Sequence, residues 1–346
     1  MKAIRKLRHE SGTDFVTDAP EPGRPGVGQI KVRVAAASVC GSDVSVARYT
    51  PAGQSFKLDL PVTMGHEGAG IVVDVGEGVT TFTIGDHVAL ESHIACFECY
   101  QCGMGNAHIC ERMRLLGLHV DGLFAEFCTV PARAAYKLPD SIPLEHAALL
   151  EPSGVALHAI QATGEPLLGQ RVLVTGAGPV GLFIAELAML AGAARVVVVE
   201  PNEWRREFAE SRGAVAVPPT SEAGRLRAHS GRSGFDVAFE ASGHPSSFPA
   251  AVEAIRGGGT YVSVGFGDAP LVIDAGEYLN RRGIRMIGSF GRLLWSTWNT
   301  LVSLVEEGRL DLAAFITHRL PLSEFDQALW LLSGDACKVL LIPSAD

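Results

Sequence analysis

The run Arg171-Val-Leu-Val-Thr-Gly176-Ala-Gly178-Pro-Val-Gly181, followed after an apolar stretch by Arg195-Val-Val-Val-Val-Glu200, decides the fold. A short apolar strand enters Gly-x-Gly-x-x-Gly, which opens a helix. A second buried strand then ends on an acid nineteen residues past the last glycine. Gly176 permits the tight turn, and Gly178 lacks the Cβ that would block a pyrophosphate. Gly181 lets the helix pack closely on the strand. With Pro179 and Val180 in the first turn, the helix start offers free N–H groups and a partial positive charge to an anion. Glu200 is placed to accept hydrogen bonds from a ribose diol. Strand, helix, strand and acid in this register predict a dinucleotide cofactor, NAD.

At 346 residues the chain suggests about two domains, each large enough for its own core. Apolar residues make up 47% and charged residues 19%, a globular rather than a disordered composition. The net charge of −9, without a basic stripe, argues against a nucleic-acid partner. Met1-Lys-Ala-Ile-Arg-Lys lacks the apolar core of a secretory signal. The longest apolar stretch, around 182–199, is broken by Glu186 and Arg195, so no membrane span is expected. Seven cysteines, four of them crowded at metal-ligand spacing, fit a reducing cytoplasm better than a disulfide framework.

Residues 1–151 read as short strands and turns, with candidates at 30–35, 70–75, 87–90 and 124–130. Pro-Gly and Gly-Asp dipeptides punctuate them, which suggests a compact β-barrel-like domain. From 152 to 292 strand and helix patterns alternate: strands at 172–174, 196–199, 235–240 and 260–264, helices at 180–191 and 250–255. This is the rhythm of an open parallel sheet with helices on both faces, so the fold class is α/β. Residues 293–346 carry helices at 297–307 and 323–332 and a strand near 315–317. Periodicity alone leaves open whether they extend the parallel sheet or return to the first domain.

Cys96, Cys99, Cys102 and Cys110 follow C-x2-C-x2-C-x7-C within a lobe spanning about 91–113. Thiolates at two-residue gaps can turn inward around one ion, and four of them satisfy Zn²⁺ tetrahedrally with no place for water, a structural role. An iron–sulfur cluster is the competing reading of the same spacing. Elsewhere Cys40-Gly-Ser42-Asp43, Gly65-His66-Glu67 and Glu151-Pro-Ser-Gly stand apart in the chain. One thiolate, one imidazole and one or two carboxylates make a reasonable open zinc set, but spacing does not show that they converge.

From Ala35 to the C-terminus the chain resembles the zinc-dependent medium-chain dehydrogenases. The matching stretches are Cys40-Gly-Ser-Asp, Gly65-His-Glu-Gly-Ala-Gly, Val75-Gly-Glu-Gly-Val, Gly85-Asp-His-Val, the four-cysteine lobe, Asp121-Gly-Leu-Phe-Ala-Glu and the Gly176–Gly181 loop. Glu151-Pro marks the polyol and L-threonine 3-dehydrogenase branch, and Gly291-Arg292-Leu-Leu-Trp-Ser-Thr-Trp298 and Ile316-Thr-His-Arg319 resemble the threonine enzymes within it. The resemblance implies a GroES-like barrel completed by the C-terminal segment, with a Rossmann domain inserted.

It further implies two zinc ions per chain. The catalytic one would be held by Cys40, His66 and Glu151, with Glu67 as a fourth or exchanging ligand. The reaction implied is oxidation of a small polar secondary alcohol by hydride transfer to NAD, with zinc as Lewis acid and Ser42 receiving the hydroxyl proton. Where the family often continues the proton relay through a histidine, this chain has Ser45. His93 matches a histidine near the substrate, the alternative being an ordinary surface histidine. His158 is expected to pack in the core. Arg205 joins Glu200 in contacts to ribose and adenine, while Val264, Gly265, Phe266, Ser289 and Phe290 match positions beside the nicotinamide half. The threonine branch normally reads Gly-Asn where this chain has Gly154-Val155, so a polyol-type substrate stands as the alternative. The family leans towards a tetramer.

Overall fold

The structure, a computed structural model, describes residues 1–220, 222–267 and 269–345. It divides into two compact units: Met1–Pro152 with Leu293–Asp346, and Ser153–Arg292.

The first unit is organised on the strand Gln29–Ser38, whose alternation buries Ile30, Val32 and Val34. It pairs antiparallel with Glu67–Val75, Phe127–Pro131 and Lys338–Leu341 in a seven-stranded sheet. Ile316–Leu320 pairs parallel to Lys338–Leu341, so the C-terminal segment returns to the first unit. Two register pairs matter for the site: Ser38 lies opposite both Glu67 and Leu340. Chain segments far apart in sequence therefore end at one point. Phe124 meets Phe325 in a tilted contact with ring centroids 5.3 Å apart, tying the C-terminal helix Phe325–Leu332 into the same core. The cysteine lobe has little apolar interior of its own; Ala95, Ala107, Cys110, Met113 and Leu294 pack around its thiols.

The second unit is a six-stranded parallel sheet in the order Val215–Val217, Arg195–Val199, Arg171–Thr175, Phe235–Glu240, Ile255–Ser263, Arg285–Gly288. In order of appearance along the chain this is 3-2-1-4-5-6, the doubly wound dinucleotide-binding order, with its switch point beside Arg171–Thr175. The central strands are buried along almost their whole length, which is why they read as continuous Val-rich runs. No helix among the described residues is long and apolar enough to cross a membrane.

Candidate active site and cofactor cradle

In the first unit, Cys40 caps the N-terminus of the helix Gly41–Arg48, and the Asp43 carboxylate accepts the Cys40 backbone N–H at 2.9 Å. His66 follows Gly65, whose φ of +93° and contact with Phe124 leave no room for a side chain. The Ser38–Glu67 register then brings the ligand atoms of Cys40, His66 and Glu67 within 4.8 Å of one another. Ser42 Oγ lies 3.4 Å from His66 Nε2, and Asp43 Oδ1 lies 3.4 Å from His66 Nδ1.

The donor set fits a cation. Glu67 Oε1 is buried without a hydrogen-bond partner among the described residues, and His66 Nδ1 and Asp43 Oδ1 face each other only at the long distance of 3.4 Å, a costly arrangement unless something else satisfies the site. Burial opposes protonation of His66, yet the charges of Asp43 and Cys40 hold its pKa well above the ordinary range.

Two placements differ from the sequence reading or were absent from it. Glu151, expected beside Cys40 and His66, stands outside the converging group, its Oε1 accepting the Ser92 hydroxyl at 2.6 Å. Lys338 was not foreseen. Its Nζ donates to Glu67 Oε2 at 2.5 Å and to Val39 O at 3.3 Å, in an ion pair with both side chains 1% exposed. Burial alone would lower the Lys338 pKa, but the charge of Glu67, followed by that of Cys40, raises it above 10.5. His93 is buried on the short strand His93–Ile94, which excludes the surface-histidine alternative. Its backbone N–H donates to Glu91 Oε1 at 2.8 Å.

The four lobe cysteines also converge within 4.8 Å. Backbone N–H groups turn towards their sulfurs: those of Glu98 and Cys99 donate to Cys96 Sγ, and that of Arg112 to Cys110 Sγ. The Glu98 N–H, foremost, holds the Cys96 thiol down to about 6, while burial and neighbouring thiols push Cys102 up to about 12. Four thiols at this spacing cannot all ionise without a cation among them, and the set suits one tetrahedral Zn²⁺.

In the second unit the glycine loop has the geometry of a phosphate cradle. Gly176 has φ +92°. A Cβ on Gly181 would come within 2.0 Å of Gly176 O, whereas one on Gly178 would meet nothing and fill open space above the turn. Gly178 caps the helix Pro179–Leu190, whose first turn, Val180 included but not Pro179, which has no N–H, presents backbone N–H groups there. Glu200 is buried, its carboxylate accepting the N–H of Ala177 at 2.7 Å and of Asn202 at 3.0 Å. Arg205 N donates to the Asn202 side chain at 2.9 Å. The Arg206 guanidinium donates to the carbonyls of Glu200 and Pro201 at 2.9 and 2.7 Å.

Val264 and Gly265 donate their N–H groups to Glu240 O, and Phe266 meets Phe290 edge to face at 5.9 Å. Ser289 Oγ is buried without a partner among the described residues, a polar atom left for a ligand. His158 packs in the core with Nδ1 3.0 Å from Gly291 O.

The chain is similar to known proteins along its whole length. Residues 26–140 match the alcohol dehydrogenase GroES-like domain, and residues 179–307 match the zinc-binding dehydrogenase family. An L-threonine 3-dehydrogenase from Thermococcus kodakarensis is 36% identical over 349 residues, covering 99% of this chain and 98% of that protein. A solved Escherichia coli CFT073 structure, described as a short chain alcohol dehydrogenase complexed with NADH, superposes with a TM-score of 0.88 at 29% identity, covering 99% of each chain. A zinc-binding dehydrogenase from Sinorhizobium meliloti 1021, bound to NADP, does so with a TM-score of 0.84 at 30% identity and the same coverage.

The two folds, the converging ligand sets and these likenesses together define an oxidoreductase acting on CH–OH. The chain belongs to the zinc-dependent medium-chain dehydrogenase family, in its threonine dehydrogenase branch.

Proposed function

We propose that the protein oxidises a small polar secondary alcohol to a ketone with NAD, with L-threonine as the substrate. The observation that carries this reading is the full-length likeness to an L-threonine 3-dehydrogenase, combined with the convergence of Cys40, His66 and Glu67. Cys40, His66 and Glu67 would hold the catalytic zinc; Glu151, expected from the sequence as a resident ligand with Glu67 exchanging, would take the exchanging role instead. A second zinc is held by Cys96, Cys99, Cys102 and Cys110. When bound, zinc supplies Lewis acidity that lowers the pKa of an alcohol, and NAD supplies the hydride acceptor.

The chain's own residues do the rest. Asp43 orients the His66 ring through Nδ1 and holds the Cys40 backbone. Lys338 fixes one oxygen of Glu67. Ser42, beside His66 Nε2, receives the hydroxyl proton, and Ser45 stands where the family's outer histidine would be. His93 contacts the substrate. Gly176, Gly178 and Gly181 admit the pyrophosphate, Glu200 and Arg205 hold the adenosine ribose, and Val264, Gly265, Phe266, Ser289 and Phe290 line the nicotinamide half.

NAD rather than NADP follows from Glu200, a buried carboxylate that repels a 2′-phosphate, and from Arg206, already committed to two backbone carbonyls. A polyol-type substrate is the second reading, favoured by Val155 where the branch carries an amide. A tetramer in the cytoplasm completes the proposal; native mass determination tests the assembly. The function itself is tested by NAD reduction with L-threonine by the zinc-loaded protein. No NAD reduction with threonine, but turnover of sorbitol or xylitol, would move it to the polyol reading.

A further inference from the structure

Glu240 ends the strand Phe235–Glu240 and lies opposite Thr175, the last residue of Arg171–Thr175. These two strands flank the point where the strand order reverses, and a doubly wound sheet binds its dinucleotide beyond the carboxyl ends there. The Glu240 side chain is buried and gathers the turn that follows it. Its Oε1 accepts the N–H groups of Ser242 at 2.8 Å and Gly243 at 3.0 Å, and the Ser242 hydroxyl at 2.5 Å. Ser247 Oγ lies 3.1 Å and Thr175 Oγ1 3.5 Å from the same oxygen. The backbone oxygen of Glu240 accepts the N–H groups of Val264 and Gly265, both at 2.9 Å.

The turn so held is pressed between two others, backbone against backbone. A Cβ on Gly176 would come within 2.9 Å of Ser242 Cα, and one on Gly265 within 2.4 Å of Gly243 N. One on Gly243, where φ is +68°, would come within 2.3 Å of Phe266 O. A buried carboxylate beside a phosphate cradle would repel the cofactor unless its charge were taken up locally. The converging N–H and O–H groups take it up. The acid is explained there by the chain it holds.

We propose that Glu240 is a positioning residue for the cofactor. Its carboxylate folds the turn 241–247 and seats it between the glycine loop and the turn 264–267, so that this wall of the crevice has its binding shape before NAD arrives. The inference rests on the NAD reading of the second unit and adds to it a residue that does not itself touch the cofactor.

The test is the Kd for NADH, followed by its fluorescence, on zinc-loaded full-length protein under conditions where urea curves show each variant folded. Glu240→Leu keeps the volume and leaves the Ser242 and Gly243 N–H groups without this acceptor. Its Kd should rise roughly ten- to hundredfold, because the turn must then be ordered on binding; KM for NAD should rise with it and kcat at saturating NAD change little. Glu240→Gln should recover most of the affinity. The bonds gather on Oε1, where one amide oxygen can stand, and Oε2 meets the Gly243 N–H at the longer 3.3 Å.

Ser242→Ala/Ser247→Ala removes two hydroxyls from the turn without altering the buried acid, and should raise Kd about three- to tenfold. A merely structural role predicts lower stability in Glu240→Leu with an unchanged Kd in the folded protein, and that result would overturn the proposal. So would an unchanged Kd in the double serine variant, or a Glu240→Gln protein that binds as weakly as Glu240→Leu. If the wild type binds neither NADH nor NADPH, the cofactor reading fails and this inference with it. Wild-type binding that the variants share overturns the role of Glu240 alone.

Discussion

Replacing Lys338 with Met should expose how tightly the core and the metal site are coupled. The ammonium and the Glu67 carboxylate meet at 2.5 Å with both side chains 1% exposed, so water cannot replace the lost partner. Removing one member of a buried pair leaves an uncompensated charge and costs about 3–5 kcal/mol. Lys338→Met/Glu67→Gln removes both charges and should recover most of that loss, because a desolvated pair is worth little net. The sign of the pH dependence follows from the raised Lys338 pKa. The pair's contribution is complete below the ordinary lysine value of 10.5 and is lost only as pH rises through the higher folded value. The penalty should therefore be constant across the neutral range.

The assay is urea denaturation of the metal-free protein followed by tryptophan fluorescence, since Trp295, Trp298 and Trp330 all lie in the first unit and report on it. A loss in Lys338→Met below about 1 kcal/mol, the range of an exposed pair, would refute the reasoning. So would simple additivity of the two single variants.

Other expectations are direct. Elemental analysis should find two zinc ions per chain. Chelation should first abolish activity with the fold retained, and Cys99→Ser should lower soluble yield or stability because the closed site contributes folding free energy; a single zinc, or iron, in fully active protein would contradict this. NAD should outperform NADP in kcat/KM, and Glu200→Ala should narrow the gap; a wild type that prefers NADP shows the role given to Glu200 to be wrong. Glu67→Gln should lower the affinity of the catalytic zinc more than Glu151→Gln, judged by zinc retained on dialysis; the reverse order would place Glu151 as the resident ligand.

What could be read from the sequence divides by how local the cause is. The dinucleotide loop was legible because turn, cradle and acid lie within one βαβ unit, and Gly176 and Gly181 take the backbone positions their smallness allows. The lobe cysteines were legible for the same reason. The strand Glu67–Val75 was not read to its start, because Gly68, Ala69 and Gly70 look like poor strand formers. Their smallness has a packing cause instead: a Cβ on Gly68 or Gly70 would strike the carbonyl of Ala36 or Arg33 across the pair.

That same pairing carries Glu67 to Cys40, a register no local pattern encodes. The strands Arg285–Gly288 and Lys338–Leu341 were not read: each opens on a cation, Arg285 or Lys338, that masks the apolar residues after it. Lys338 did leave a signal, a lone cation inside the apolar run Cys337–Leu341, which in a buried strand demands a partner. The hydrogen bond from the Trp298 indole N–H to Glu91 left none, since the two residues lie 207 positions apart.

The most direct test of the account is kcat/KM with NAD for L-threonine, 3-amino-2-butanol, sorbitol, 2,3-butanediol and 2-propanol on zinc-loaded protein. A site built to hydrogen-bond its substrate rejects analogues lacking the group by about 10⁴-fold, so L-threonine should lead 2-propanol by that order and clearly exceed 3-amino-2-butanol, in which a methyl replaces the carboxylate. Preference for 2-propanol would contradict the polar pocket, and no hydride transfer to NAD from any of the five would contradict the central claim.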